Sequence, residues 1–289
     1  MKTTEILDAY LEKTSPVKTA ATVKYEKVLI RALKVMIEAE GLQKPKRLKF
    51  DDGYRIIRYF KEETNNKNNS INKYMNYLCR ALKHYGIKSD LFDFPKLASD
   101  TVHFRKFNDD DLKRIIVHMK DIQESKNSVV YRAMIYLLLD SGVRLAELMR
   151  MKYSNVDFHD RVILLEETKS HITRYVPFSE FSESSIRELM RSGPKRDRLF
   201  WNIIADRPLE RGDARNFFKR LCRRLKIESI HAHRFRKTFA TKLRENGARL
   251  EAIQYLLGHS KLATTMIYVE TDLGTTMEEY KKHCSWFKE

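Results

Sequence analysis

The stretch HAHRFRKTFATKL, residues 231–243, concentrates side chains that could do chemistry. Its first seven positions hold two histidines, two arginines and a lysine, and an apolar run with helical spacing follows. Imidazole groups can bind a metal or move protons, and a guanidinium group can donate two parallel hydrogen bonds to the oxygens of a phosphate. A solvated basic surface is the third interpretation. This stretch alone leaves all three open.

The charge of the whole chain favours a polyanion as its partner. The 289 residues include 56 Lys and Arg against 39 Asp and Glu, which gives a formal net charge of +17. Positions 1–100 hold 20 basic and 13 acidic residues, and the remainder holds 36 and 26, so the excess is spread along the chain. A chain this basic is typically a nucleic-acid binder, with a membrane surface as the alternative.

Cysteine usage and hydropathy predict a reduced, intracellular protein. Cys79, Cys222 and Cys284 are widely separated and form no CxxC pair, so neither a disulfide framework nor a zinc site is indicated. His231 and His233 could form half a metal site, but no further ligand stands at a useful spacing, and we expect no metal or other cofactor. The first residues have no apolar signal core, and no run reaches the roughly 18 apolar residues of a membrane span. We therefore expect a cytoplasmic, nucleoid-associated protein with no membrane partner.

Hydrophobic periodicity divides the chain into two predicted domains. Residues 1–88 are predicted to form a compact four-helix unit. Pro95 and a loss of periodicity predict a linker over 89–107. Residues 108–289 are then predicted to form a second, mainly helical domain.

Caps and apolar spacing predict the individual elements. The first domain has predicted helices at about 3–13 and 52–62, and two more that end before Gly41 and Gly86. Asn108 is predicted to cap the helix that opens the second domain, with three aspartates in its first turn. The one clear β signal is the pair RVILLEE and ITRYVPF, read as two strands at 161–167 and 172–178. Further helices are predicted at about 182–191, 212–225, 234–246, 249–257, 262–268 and 275–287.

Four short stretches of the second domain, taken in order, resemble one family. SGVRLAEL (141–148) is similar to the box TGxRxxEL, TKSHITRYVP (168–177) to KGxKxRxVP, HRFRKTFAT (233–241) to HxxRHTFAT, and LGHSKLATTMIYVE (257–270) to LGHSSxxTTxxYxH. These boxes are signatures of the tyrosine recombinases, the lambda-type integrase family. The resemblance covers roughly 108–270, and the closing stretch EEYKKHCSWFKE also resembles the tail of archaeal virus and plasmid integrases.

The resemblance implies a mainly α, two-domain clamp on double-stranded DNA. A helical N-terminal core-binding domain would face a mainly helical catalytic domain that contains a small antiparallel β-hairpin. The implied activity is site-specific recombination through a 3′-phosphotyrosyl intermediate, carried out by a homotetramer that is monomeric when free. A type IB topoisomerase, which reseals the same strand, and a non-catalytic DNA-binding protein on this fold are the alternatives. The final helix, which commonly packs onto a neighbouring protomer in this family, could lie on its own domain or on another chain.

The same resemblance implies a role for each of seven side chains. It implies that Tyr268 is the nucleophile and that Lys169 is the general acid. Arg144 and Arg236 would bind the scissile phosphate, and Glu147 would support Arg144. His233 and His259 would hydrogen-bond the phosphate or assist proton transfer. Without the family, Glu147 would be read as an exposed ion-pair partner of Arg144. Two positions depart from the pattern: Lys237 stands where many relatives have histidine, and TKSH replaces a glycine-rich turn.

This set of side chains suits phosphoryl transfer without ATP or a metal. Charge develops on the non-bridging oxygens of a phosphodiester in the transition state, and preorganised arginine forks stabilise it. A phosphotyrosyl ester keeps the bond energy, so a 5′-hydroxyl can later restore the phosphodiester. On a helix, His233 and Arg236 share one face because they are three residues apart, while Phe235 and Phe239 are expected to turn toward the core.

Overall fold

The chain folds into two compact units, Met1–His103 and Phe104–Glu289, each with its own hydrophobic core. The computed structural model describes residues 1–99, 106–166, 173–192, 196–258 and 273–284. Both units are mainly helical, and the second also contains small antiparallel sheets. The predicted fold class, mainly α with a small antiparallel sheet, is confirmed.

The first unit is a bundle of four helices, as predicted. They are α1 (Thr3–Thr14), α2 (Ala20–Ala39), α3 (Asp52–Glu62) and α4 (Asn68–His84). Their apolar faces meet in one core, where Leu33, Ile56 and Leu78 are fully buried. Gly41 and Gly86 follow the ends of α2 and α4 with φ of 65° and 67°, a left-handed conformation that glycine adopts without strain.

Residues 89–99, here called the exit segment, pack on the first unit although they fall within the predicted linker. Leu91 is fully buried in the first core. The side chain of Asn72 donates to the carbonyl oxygen of Leu97 and accepts from its amide, each at 2.9 Å. Asn68 donates to the carbonyl oxygen of Ala98 at 3.0 Å. Asparagines of α4 therefore hold the exit segment in place.

The core of the second unit is built around one helix, α6 (Ser128–Ser141), of which every residue except Val129 and Arg132 is buried. Helices α5 (Asp109–Lys120), α8 (Glu180–Arg191) and α10 (Ala232–Glu245) pack against it. The predicted cap of α5 is confirmed, because the side-chain oxygen of Asn108 accepts from the amide of Asp111 at 2.7 Å.

The described residues of the second unit include two small antiparallel sheets. The first has the order β1 (Val156–Asp157), β2 (Val162–Leu165) and β3 (Arg174–Pro177), and its last two strands are the predicted pair, shorter than expected. The second sheet pairs β4 (Trp201–Asn202) with β5 (Arg207–Pro208). The sequence did not indicate β1, β4 or β5, because two residues are too few for an alternating pattern. Residues 167–172, between β2 and β3 in the sequence, lie outside the described residues.

Three further helices, α9 (Arg211–Leu225), α11 (Leu250–Leu257) and α12 (Leu273–His283), lie close to their predicted positions. The predicted helix at 262–268 lies outside the described residues. In this single chain α12 packs against α11 of its own unit. The buried hydroxyl of Tyr280 on α12 donates to Oδ1 of Asp140, at the end of α6, at 2.8 Å.

Candidate active site

The turn after α6 places Arg144 and Glu147. Gly142 has a φ of 61°, and a Cβ there would come within 2.4 Å of the Phe239 ring, so only glycine fits this position. A single-turn helix, α7 (Leu145–Leu148), follows at once. Oε2 of Glu147 accepts from the amide of Arg144 at 3.0 Å, and Oε1 accepts from Nη1 of Arg144 at 2.7 Å. Glu147 therefore holds both the main chain and the side chain of Arg144.

Helix α10 carries Arg236 inward and His233 outward. Phe235 and Phe239 are fully buried, as predicted, and anchor the helix in the core. Arg236 is 5% exposed and donates from Nη1 to the carbonyl oxygen of Gly142 at 2.9 Å. His233, one turn earlier on α10, is exposed at the protein surface.

Two further residues of the opening stretch support α10. His231 caps this helix, since its Nδ1 accepts from the amide of Arg234 at 3.2 Å. Burial, then the charges of His233 and Arg234, lower the pKa of His231, which suits an uncharged acceptor. The guanidinium of Arg234 lies 4.1 Å from the centre of the Phe107 ring and 3.6 Å from a carboxylate oxygen of Asp111. These contacts make Arg234 and His231 residues that fix the start of α10.

A third arginine, Arg174 of β3, reaches the same place, and sequence reasoning gave it no role. It is 5% exposed, and its Nη2 donates to Oε2 of Glu147 at 2.8 Å. Its Nη1 donates to the carbonyl oxygen of Leu256. One signal could have found it: Arg174 stands two positions before the buried Val176, so the alternation of β3 turns both side chains to the buried face.

All three arginines converge on the C-terminal end of α11. Arg144 donates to the carbonyl oxygens of Leu257 at 3.4 Å and Gly258 at 3.2 Å. Arg236 donates from Nη2 to the same Leu257 oxygen at 2.6 Å. Carbonyl oxygens at the end of a helix have no partner within it and carry partial negative charge, so they are good acceptors for cations.

The site holds an excess of positive charge, because one carboxylate faces three guanidinium groups. Burial alone would raise the pKa of Glu147, but the charge of Arg174 and the hydrogen bonds and charge of Arg144 outweigh it, so its pKa lies below the usual range. Burial, followed by the charges of Arg144 and Arg174, lowers the pKa of Arg236 to about 9. Arg236 therefore keeps its charge at neutral pH. Such a cluster favours binding of an anion with two or more oxygens.

Helix α11 ends at Leu257 and is capped by Gly258, the residue before His259 in the sequence. Gly258 has a φ of 62°. His259 and Tyr268 follow within residues 259–272, and Lys169 falls within 167–172, so all three lie outside the described residues. Among the predicted site residues that the structure describes, Arg144, Glu147 and Arg236 come together.

No metal-binding group emerges from the part of the chain that the structure describes. There, no cluster of three or more His, Cys, Asp and Glu side chains could hold an ion. Within the same residues, no helix combines the length and the apolar character needed to cross a membrane.

Comparison with known sequences places the chain in a family. The sequence profile of the phage integrase family matches residues 105–273. The chain belongs to the phage integrase family. This integrase-family chain is 43% identical over 258 residues to a probable integrase/recombinase of Acholeplasma phage L2, covering 89% of the chain and 88% of that protein. It is 28% identical over 161 residues to the tyrosine recombinase XerC of Lacticaseibacillus casei, covering 53% of the chain and 54% of the relative.

The fold of this integrase-family chain matches that of solved relatives. The Tn1549 transposon integrase, in complex with circular intermediate DNA, superposes with a TM-score of 0.77 over 98% of this chain and 99% of that one, at 19% identity. The tyrosine recombinase family expected from the four boxes is thus confirmed, and with it the enzyme class, a site-specific recombinase. The roles of individual site residues and the likeness of the C-terminal stretch to archaeal integrases stay predictions.

Proposed function

We propose that this integrase cleaves and rejoins DNA strands at specific sites through a 3′-phosphotyrosyl intermediate at Tyr268. The observation that carries the proposal is the convergence of Arg144 and Arg236 on one acceptor oxygen, in a cluster where three arginines face one carboxylate. Two rigid donors aimed at one point are what a phosphodiester needs if its developing negative charge is to be stabilised. In this mechanism the non-bridging oxygens of the scissile phosphate accept hydrogen bonds from the guanidinium groups of Arg144 and Arg236.

The remaining steps are assigned to the other predicted residues. The phenol of Tyr268 attacks the phosphorus, and the bond from phosphorus to the 5′-oxygen breaks. Lys169 protonates the leaving 5′-oxygen, while His233 and His259 hydrogen-bond the phosphate or assist proton transfer. The reverse attack by the 5′-hydroxyl of another strand regenerates the phenol and the phosphodiester. Bond energy is conserved throughout, so the reaction requires neither ATP nor a metal ion.

The DNA duplex is proposed to lie against a basic surface of the second unit. On α9, Arg211, Arg215, Lys219 and Arg223 are exposed and recur every four residues, which puts them on one helix face. The first three line a groove of about 610 Å³. The groove is also lined by Leu145, the residue after Arg144, and by His231, the cap of α10. Two solved relatives, the Tn1549 integrase and the lambda integrase, are complexes with DNA. Full recombination would require four protomers on two duplexes.

A covalent-trapping experiment tests the proposal. The target site is first recovered by sequencing the junctions that purified protein forms on a genomic library. That site is then built into a suicide substrate, a duplex nicked so that the cleaved end diffuses away. Wild type should accumulate a covalent protein–DNA adduct without ATP and in excess EDTA, and Tyr268→Phe should bind the DNA but form none.

Adduct formation, together with a plasmid-relaxation assay, separates the alternatives. An undiminished adduct with Tyr268→Phe would contradict the nucleophile assignment. Failure of wild type to form any adduct would favour a non-catalytic DNA-binding protein. Relaxation of supercoiled plasmid by the monomer, with no recombinant product from any pair of sites, would favour a type IB topoisomerase.

A further inference from the structure

Arg174 joins two parts of the site that are otherwise separate. Through Nη2 it contacts Glu147, which in turn holds the main chain and the guanidinium of Arg144. Through Nη1 it contacts the carbonyl oxygen of Leu256, in the last turn of α11. Because the guanidinium is planar and rigid, these two contacts fix a distance between Glu147 and α11.

Gly258 shows how closely Arg174 fits the end of α11. A Cβ at Gly258 would lie 2.8 Å from Nε of Arg174, which is closer than real Cβ atoms come, and 3.1 Å from its Cδ, which is tighter than most real contacts. The φ of 62° at Gly258 independently favours glycine. The side chain of Arg174 therefore rests directly on the residue that precedes His259 in the sequence.

A purely structural role accounts poorly for an arginine at this position. Its Nε is buried and has no acceptor among the described residues, and a buried donor without a partner is destabilising. Burying a charge is also costly, and replacing a buried ion pair by apolar side chains of similar volume is often neutral or stabilising. Stability alone would therefore be served as well by apolar side chains in place of both Arg174 and Glu147.

We propose that Arg174 is a positioning residue for DNA cleavage, which aligns Arg144 through Glu147 and holds the last turn of α11 through Leu256. His259 and Tyr268 follow that turn in the sequence. This inference rests on the proposed function, since it takes Arg144 as a ligand of the scissile phosphate. Arg174 itself does not touch the phosphate, because its guanidinium is covered by Glu147 and by the end of α11.

Loss of Arg174 would leave a chemical signature at Glu147. The charged groups that face Glu147 are Arg144 on its own turn, Arg174 from β3 and Arg236 from α10. The positive charge of Arg174 makes the largest contribution that lowers the pKa of Glu147 against the effect of burial. Without it, the pKa of Glu147 rises, so Glu147 becomes protonated and releases Arg144 at a higher pH than in wild type. The acid limb of the cleavage-rate profile should then move to higher pH.

The test compares Arg174→Met, Arg174→Lys and Glu147→Gln in single-turnover cleavage of the suicide substrate, at saturating DNA and over a range of pH. Arg174→Met should cleave about 10- to 100-fold more slowly, as expected for a misplaced catalytic group, while the DNA dissociation constant changes much less. The acid limb of its cleavage-rate profile should shift to higher pH. Arg174→Lys keeps the charge beside Glu147 but has a single donor group, so its rate should fall while its acid limb stays where it is in wild type.

A double mutant tests whether Arg174 influences the cleavage rate through Glu147. If Arg174 acts through Glu147, adding Glu147→Gln to Arg174→Met should lower the rate by much less than the product of the two single effects. Asn127→Ala is the matched control for lost stability, because Asn127 is buried in the same unit and bonds to Asn202 and Ile203, away from the arginines. It should lower the melting temperature and leave the cleavage rate unchanged.

Distinct results would overturn the two proposals. Wild-type rate and wild-type pH profile in folded Arg174→Met would overturn the positioning role and leave the proposed function intact. A loss of rate in the double mutant equal to the product of the two single effects would also overturn the positioning role. So would a loss of rate in Asn127→Ala as large as that in Arg174→Met. If Arg174→Met does not fold, a wild-type rate in Arg174→Lys overturns the positioning role by itself. Absence of a Tyr268-dependent adduct in wild type would overturn the proposed function, and the positioning role with it.

Discussion

Arg144 and Arg236 donate to the same acceptor, the main-chain carbonyl oxygen of Leu257, at 3.4 and 2.6 Å. Arg144 follows α6 and Arg236 lies within α10, so the folding of the whole second unit is needed to bring them together. The shared carbonyl belongs to the last turn of α11, where partial negative charge accumulates. The guanidinium groups of Arg144 and Arg236 are therefore oriented toward one acceptor oxygen by the protein fold itself. This preorganisation is the structural basis for the first prediction.

We expect that lysine at position 144 or 236 cannot support cleavage at the wild-type rate. Arg144→Lys and Arg236→Lys keep one positive charge but lose the planar fork, so the single-turnover cleavage rate should fall by about 100- to 1000-fold, the range for losing a transition-state donor. The assay is adduct formation on the suicide substrate at saturating DNA. Arg187→Lys is the control, since Arg187 pairs with Glu183 and lies over Phe158. Full activity in either lysine variant would contradict the phosphate-binding role.

Glu147→Gln should weaken the fold in a pH-dependent way. The pKa of Glu147 is depressed below its ordinary value of 4.5, so its charge stabilises the folded state above that pH, and the stabilisation is lost as pH falls through the lower, folded-state pKa. Removing one partner of a buried ion pair typically costs about 3–5 kcal/mol. Urea unfolding of both proteins should show the larger difference at neutral pH and a smaller one below pH 4. A pH-independent difference would contradict this account.

Tyr280→Phe should loosen α12. The hydroxyl of Tyr280 donates to Oδ1 of Asp140, a fully buried carboxylate that also accepts from the amide and hydroxyl of Ser179. Losing the bond and leaving part of Asp140 unsatisfied should cost about 1–3 kcal/mol. Faster amide exchange in 273–283, measured by mass spectrometry, is the expected result. Tyr175→Phe, which removes a hydroxyl from an exposed side chain, should leave the exchange unchanged.

The basic face of α9 should contribute to DNA affinity through phosphates. Arg211→Ala and Arg215→Ala should each weaken binding to any duplex sequence, and each should reduce the slope of log affinity against log salt by about 1. Filter binding from low to physiological salt measures both quantities. Arg187→Ala again serves as the control, since its guanidinium is paired with Glu183. A slope unchanged by either substitution on α9 would place the duplex elsewhere.

Much of the fold could be predicted because its signals are local. Left-handed glycines such as Gly86, the cap at Asn108 and the apolar spacing of α2 each depend on a few neighbouring residues, and all three predictions are confirmed. The short strands β4 and β5 have no such signal, because their pairing depends on the surrounding structure. The packing of the exit segment was missed for the same reason, since its contacts come from residues about 25 positions away.

The site was predictable only in part. Arg144 and Arg236 were found because each sits in a box that resembles the family, and the structure brings them together. Arg174 also stands in such a box, but its role depends on contacts with Glu147 and Leu256, which sequence spacing cannot reveal. The assignments of Lys169, His259 and Tyr268 rest on the resemblance and stay predictions.

Asn68 and Asn72 of α4 affect how this protein can vary in sequence. Asn68 and Asn72 hold Ala98 and Leu97 through main-chain atoms, which every amino acid possesses. The side chain at Ala98 is exposed and takes no part in this attachment. Substitution there leaves the attachment intact, whereas a single change at Asn72 removes both of its hydrogen bonds to Leu97. Among diverging copies of this gene, we therefore expect the asparagines to persist while position 98 drifts.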